Sequence, residues 1–186
     1  MKRLFDLVLA LSAVVALALL LAVVALMVRL TSSGPALYWS ERVGRNNRVF
    51  NMPKFRSMFV GTPALATHLL TNPASYLTPV GSFLRKSSLD ELPQLWSILV
   101  GDMSFVGPRP ALFNQADLIE QRTALGVDQL VPGLTGWAQV NGRDELPIPQ
   151  KVALDAYYAR HQSLALDLRV IWMTFLKVLR RDGVSH

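Results

Sequence analysis

The chain has 186 residues, 51% of them hydrophobic, with 19 Lys and Arg against 13 Asp and Glu and a net charge of +6. It has no cysteine, which excludes a disulfide framework, a thiolate zinc site and a cysteine nucleophile, and its three scattered histidines make no metal cluster. The positive charge calls for anionic partners. No interleaved aromatic–basic strand or recognition-helix pattern accompanies it, so phosphorylated substrates and anionic lipid headgroups are expected rather than nucleic acid.

Residues 7–28 carry no charged side chain. As a helix they would reach ~33 Å, about the thickness of a bilayer's hydrocarbon. The basic start Met1-Lys2-Arg3 is interrupted by Asp6, and the apolar run is longer than a signal peptide's core of roughly 7–15 residues. A retained membrane-inserted helix over 1–30 is therefore expected, with a second unit over 31–186. Basic residues flank the run on both sides: Lys2 and Arg3 before it, Arg29, Arg42, Arg45 and Arg48 after it. A re-entrant hairpin would keep both flanks on one side of the membrane. A straight span would avoid irregular backbone in lipid, since the run has no Pro or Gly. Both topologies stay open at this point.

After the helix, 36–40 and 48–58 read as extended pieces around a turn at 44–47. A short helix is expected over 64–70, between prolines. Leu89, Leu92, Leu95, Trp96 and Leu99 recur at helical spacing in a helical stretch that begins at 81 and stops at Gly101. Helices are also expected over 111–125, closed by Gly126, and over 149–161 and 164–181, with a Pro/Gly-rich loop and a short strand over 131–142. The fold class is mostly α with minor β. In the last helix Leu168, Ile171, Trp172, Phe175, Val178 and Leu179 share one side, and Arg169, Lys177, Arg180 and Arg181 gather on another. That pattern suits either an interfacial amphipathic helix or a core-facing one.

Three segments concentrate chemistry. Arg85-Lys86-Ser87-Ser88-Leu89-Asp90-Glu91-Leu92-Pro93 sets two adjacent carboxylates after two cations. Ser88-x-x-Glu91 has the form of a capping box, whereas Pro93 at the first helical position would leave Asp90 and Glu91 in the turn before the helix. In the segment 101–110, prolines on both sides of Arg109 stiffen the backbone and suit its guanidinium to bidentate phosphate binding. The segment 131–143 offers Gln139, Asn141, Arg143 and the stacking face of Trp137 among glycines that permit tight turns. Lys54 and Arg56 add positive charge, and Asp155, ahead of Tyr157-Tyr158, is a further acid.

The motifs SSLDELPQLWSILVGDMSFVGPRP at 87–110, PGLTGWAQVNGR at 132–143 and KFRSM at 54–58 occur in order along nearly the whole chain. Together they closely resemble the bacterial sugar transferases, the monotopic phosphoglycosyl transferases acting on polyprenyl phosphate. The resemblance implies a membrane-bound enzyme with its catalytic domain, 31–186, on the cytoplasmic face of the bacterial inner membrane. It implies transfer of a sugar 1-phosphate from a UDP-sugar to undecaprenyl phosphate, with release of UMP. Asp90 would be the nucleophile that forms a phosphosugar–aspartyl intermediate. Mg²⁺ would be held by Asp90 and Glu91 with the substrate phosphates. Substrate binding would fall to Arg109, with Lys54, Arg56, Arg85, Gln139, Asn141, Arg143 and Asp155 in support. The partners implied are the UDP-sugar, undecaprenyl phosphate and the lipid bilayer; nucleic acid is not among them, and a homo-oligomer is compatible. Family members often carry a Ser-Pro pair midway through the membrane segment, where this chain reads Ala18-Leu19. A catalytically silent membrane scaffold that recruits glycan-assembly enzymes is the competing reading, disfavoured by the intact Asp90-Glu91 pair.

Overall fold

The computed structural model describes residues 2–63, 71–142 and 146–180. The expected short helix at 64–70 and Arg143 lie outside them. The first element, α1 (Lys2–Thr31), is one uninterrupted helix, as its run of Leu, Val and Ala without Pro or Gly dictates. One stripe of it packs on the rest of the chain along its whole length. Ala10, Val14 and Leu17 meet Met52, Leu95, Ile98 and Met103, and Leu21, Val24 and Val28 meet Phe55, Leu84, Leu89 and Leu92. The opposite stripe, Leu4, Val8, Leu11, Val15, Leu19, Leu26 and Leu30, is exposed, with Ser12 as its one polar residue.

Both ends of α1 are bonded to the same body. At the start, Arg3 donates to the carbonyls of Ile98 (2.5 Å) and Leu99 (2.7 Å), satisfying the end of another helix, and buried Asp6 accepts the Phe105 amide at 3.2 Å. Lys2 pairs with Asp167 at 2.6 Å, and Asp167 in turn accepts a hydrogen bond from the Tyr158 hydroxyl. At the far end, buried Arg56 donates to the carbonyls of Ser32 and Ser33, next to Gly34, whose φ of +111° turns the chain back.

Strands β1 (Leu37–Val43) and β2 (Val49–Phe55) form an antiparallel hairpin in the register Leu37↔Phe55 to Val43↔Val49. Its turn includes Asn46 and Asn47, both at positive φ. Pro53, which has no amide hydrogen, is accommodated because β2 lies at the edge of its sheet. Helix α2 (Gly81–Lys86) and α3 (Gln94–Val100) follow, and Gly101 at φ +102° ends α3 as its sequence position predicted. Strand β3 (Ser104–Val106) leads through Pro108-Arg109-Pro110 into β4 (Ala111–Leu112), which pairs with β1. Then come α4 (Ala116–Ala124), β5 (Gly133–Thr135) parallel to β3, α5 (Trp137–Asn141), α6 (Ile148–His161) and α7 (Leu164–Arg180).

Mostly α with minor β holds, and the last two helices fall where expected. Three expectations need correction. The helix expected over 111–125 begins only at Ala116, because Ala111 and Leu112 pair with Val43 and Arg42 in the sheet. The stretch expected to be helical from 81 is broken between α2 and α3 by Ser88, which sits in the left-handed region at φ +57°. The loop expected over 131–142 holds helix α5 as well as a strand.

The β3–β5 crossing depends on glycine. A Cβ at Gly133 would lie 2.1 Å from the Gly107 nitrogen and 2.4 Å from the Thr135 oxygen, both fixed backbone. Gly133→Ala is therefore expected to cost about 3 kcal/mol or more, a large share of a domain's stability. Thermal unfolding in detergent should show loss of a cooperative transition or a much lower midpoint.

Buried against this crossing, Val106, Val140, Tyr158 and Val170 form a core in which α6 and α7 meet β3. Helix α7 buries Val170 and Asp167 there and leaves Leu164, Leu168, Trp172, Phe175 and Val178 exposed on its other face. Of the row the helical wheel picked out as a candidate interfacial surface, Leu168, Trp172, Phe175 and Val178 are exposed, whereas Ile171 packs against the core.

Candidate active site

Asp90 and Glu91 lie in a single 3-10 turn, Leu89–Glu91, just ahead of α3. Ser88 makes no side-chain cap, so the capping-box reading fails, and Pro93 takes the N-cap position of α3. The αL conformation of Ser88 is costly for a non-glycine residue and reverses the chain sharply. Leu89 and Leu92, packed with Leu84 and the α1 valines, hold the turn down on either side of the two acids.

Cations converge on that turn from three other elements. Lys54, near the end of β2, donates to Glu91 Oε1 at 2.9 Å, and Arg109, between β3 and β4, donates to the same oxygen at 2.8 Å. Arg85, at the end of α2, is near enough to attract the Asp90 carboxylate. Among the described residues no ion pair closes on Asp90 itself, although it is only 8% exposed.

The two acids consequently differ. Burial lifts the Asp90 pKa to about 6; Lys54 opposes the rise, Glu91 adds to it, and Arg85 and Arg109 oppose it more weakly. Burial also disfavours charge on Glu91, but Arg109 and Lys54, each hydrogen-bonded to it, hold its pKa well below the usual carboxylate range. Burial lowers the Lys54 pKa against the pull of Glu91. The result is a charged Glu91 organising two cations, and beside it a carboxylate whose pKa is raised to about 6 and whose oxygens have no hydrogen-bond partner among the described residues. Neighbouring acids pushed apart in this way are a mark of functional sites.

Of the residues expected at the site, the structure brings together Asp90, Glu91, Lys54, Arg85 and Arg109. It places two elsewhere in role. Arg56 is 4% exposed, and two of its guanidinium nitrogens donate to the carbonyls that end α1, so it anchors that helix. Asp155, 1% exposed, is a buried partner of Arg122 on α4. Asn141 bonds the Trp137 carbonyl of its own short helix at 2.8 Å. Gln139 makes a long contact to the Leu134 carbonyl at 3.4 Å and keeps a buried, unpartnered Oε1. Trp137 stacks on Tyr157 and lies under Arg169, so its ring is already covered on α6 and α7. Arg122 was not among the residues expected at the site. Its signal is a cation four residues after Leu118, on the buried face of an amphipathic helix.

Among the described residues no cluster of three or more His, Cys, Asp or Glu could hold a metal alone. The donor set nonetheless fits Mg²⁺, a hard cation that takes one or two carboxylates and fills its remaining positions with water and substrate phosphates. Asp90, with no ion pair among the described residues, and Glu91, which accepts from both cations on a single oxygen, keep carboxylate oxygens for it.

The acid pair, with Lys54, Arg85 and Arg109 drawn toward it, thus lies in a turn packed against a long apolar helix. The chain belongs to the bacterial sugar transferase family, whose profile matches residues 1–181. It is similar to the UDP-galactose-lipid carrier transferase of Erwinia amylovora, with 39% identity over 98% of this chain and 41% of that protein. To the undecaprenyl-phosphate glucose phosphotransferase of Komagataeibacter xylinus it is 41% identical over 93% of this chain and 35% of that protein. The chain thus spans well under half the length of these two relatives. It covers 91% of the sugar transferase EpsL of Bacillus subtilis, at 36% identity over its own full length.

Proposed function

We propose that this protein transfers a sugar 1-phosphate from a UDP-sugar to undecaprenyl phosphate, releasing UMP, by two displacements at Asp90. The observation that carries the reading is the asymmetry of the acid pair: Glu91 accepts from Lys54 and Arg109, and Asp90 beside it is buried, with a pKa raised to about 6 and no ion pair among the described residues. Undecaprenyl phosphate as acceptor is supported by the relative that bears it in its name.

In the first displacement a carboxylate oxygen of Asp90 attacks the phosphorus that bears the sugar. A new P–O bond forms as the bond from that phosphorus to the bridging oxygen breaks, and UMP leaves with the bridging oxygen and the electron pair. In the second, an oxygen of the lipid phosphate attacks the same phosphorus and the Asp90 carboxylate departs, leaving the sugar on a lipid diphosphate. Dividing the reaction lets a soluble donor and a lipid acceptor use one site in turn. Arg109, Lys54 and Arg85 offset the negative charge that the attacking carboxylate meets on the diphosphate. Mg²⁺ held by Asp90 and Glu91 would add Lewis-acid stabilisation of the phosphoryl oxygens.

Helix α1 supports a placement at the membrane. A helix bonded to one body at both ends and packed on it along its length is suited to enter and leave lipid on the same side. Its exposed leucine–valine stripe would be the lipid contact, joined by the outer face of α7. In the reading proposed here the catalytic unit lies on the cytoplasmic side of the inner membrane.

The test is UMP release with undecaprenyl phosphate and Mg²⁺ across a panel of UDP-sugars that includes UDP-glucose and UDP-galactose. Release from at least one donor, lost on chelation of the metal, is the expected result. No release from any donor would overturn the reading and favour the scaffold. Because the nucleophile must be ionised, kcat/KM should rise with pH through about 6 and level off above it.

A further inference from the structure

Arg109 is held from behind. Arg122 on α4 is 8% exposed and donates from Nε (3.0 Å) and Nη2 (2.6 Å) to one oxygen of Asp155 on α6. Its remaining nitrogen, Nη1, donates to the main-chain carbonyl of Arg109 at 2.8 Å. The Arg109 guanidinium, at the other end of the same residue, donates to Glu91 Oε1. A buried ion pair costs desolvation that packed apolar residues would avoid, so its presence in the core is not explained by stability alone. Burial also raises the Asp155 pKa against the pull of Arg122. What this pair adds is a third, directional bond to the one residue through which the Pro-Arg-Pro segment reaches the acids.

We propose that Arg122, oriented by Asp155, is a positioning residue that fixes the main chain at Arg109 so that its guanidinium meets both Glu91 and the diphosphate of the substrate. The inference rests on the reading of Arg109 as the diphosphate ligand. Pro108 and Pro110 each lack an amide hydrogen, so the segment is held through its carbonyls: Pro108 accepts from the Gly133 amide at 2.9 Å and Pro110 from Arg42 Nη1 at 3.2 Å. The bond from Arg122 is the one made at the Arg109 carbonyl itself. A lysine cannot do the same work, because a single ammonium nitrogen replaces the planar fork that spans Asp155 and the carbonyl together.

The test is a binding cycle with inorganic pyrophosphate and Mg²⁺ as the probe, measured by calorimetry on the full chain in detergent, with melting temperatures alongside. Arg122→Lys and Arg109→Ala should each weaken binding about tenfold, and the double variant should be no weaker than Arg109→Ala alone, because the two act through one contact. Asp155→Asn, nearly isosteric, should weaken binding in the same direction and serves if Arg122→Lys does not fold. Undiminished binding in Arg122→Lys or Asp155→Asn, or losses that multiply in the double variant, would make the pair a structural bridge only and overturn the proposal. So would absence of pyrophosphate binding in the wild type, whereas the reaction itself is judged separately by UMP release.

Discussion

Asp90→Asn should abolish UMP release, by on the order of 10³-fold or more as expected for loss of a nucleophile, and at the same time make the protein more stable. The two effects have one cause. Folding buries Asp90 and lifts its pKa from the ordinary value of 3.8 to about 6, so the folded state holds the proton more tightly than the unfolded state does. Stability is therefore greatest below the unfolded value and falls as pH rises from about 4 to about 6, after which the full cost remains. About two pH units correspond to roughly 3 kcal/mol. Asparagine keeps the shape without the charge and removes that cost. Thermal unfolding in the absence of metal and substrate should show a higher midpoint for the variant at pH 7 and little difference at pH 4. A variant that is inactive and less stable at pH 7 would mean that the Asp90 carboxylate holds the turn together, contrary to its lack of an ion pair.

Glu91→Gln should act in a different way. Glu91 satisfies two cations through one oxygen, so neutralising it leaves Lys54 and Arg109 facing an amide in a mostly buried setting. With Glu91 one-fifth and Arg109 about one-third exposed, water relieves part of the penalty, and a cost of about 1–3 kcal/mol is expected. The larger consequence is on Asp90. Glu91 raises the Asp90 pKa, while the cations freed from it would draw toward the nucleophile, so both changes lower that pKa. The acidic limb of the kcat/KM profile should move below about 6, and kcat should fall about 10²-fold as the nucleophile becomes ion-paired and less basic. An unmoved limb would show that Glu91 does not set the ionisation of Asp90.

Much of this arrangement is legible in the sequence because it is local. The acid pair ahead of a helix, the stiffened Arg109, the hairpin turn at the two asparagines and the closing amphipathic helices each come from a few adjacent residues. What is not legible depends on distant partners. Nothing near Ser88 announces a left-handed residue, since serine carries no signal comparable to glycine's. The pairing of Ala111 and Leu112 with β1 overrides a helical pattern that their apolar side chains would otherwise extend. Arg56 and Asp155 look like site residues because they are charged and lie near other candidates. Their partners, the carbonyls at the end of α1 and the guanidinium of Arg122, are far away in the sequence. Arg122 itself lies outside every motif, and its importance comes from a main-chain carbonyl 13 positions away.

The central claim is a covalent bond to Asp90, and one measurement addresses it directly. The protein is incubated with Mg²⁺ and a UDP-sugar that supports turnover, without lipid acceptor, and digested for mass spectrometry of the peptide containing Asp90. The account predicts a peptide heavier by one sugar phosphate, formed in step with released UMP, discharged on adding undecaprenyl phosphate and absent from Asp90→Asn. An unmodified peptide, with UMP appearing only once undecaprenyl phosphate is added, would contradict it and assign the attack to the lipid phosphate directly.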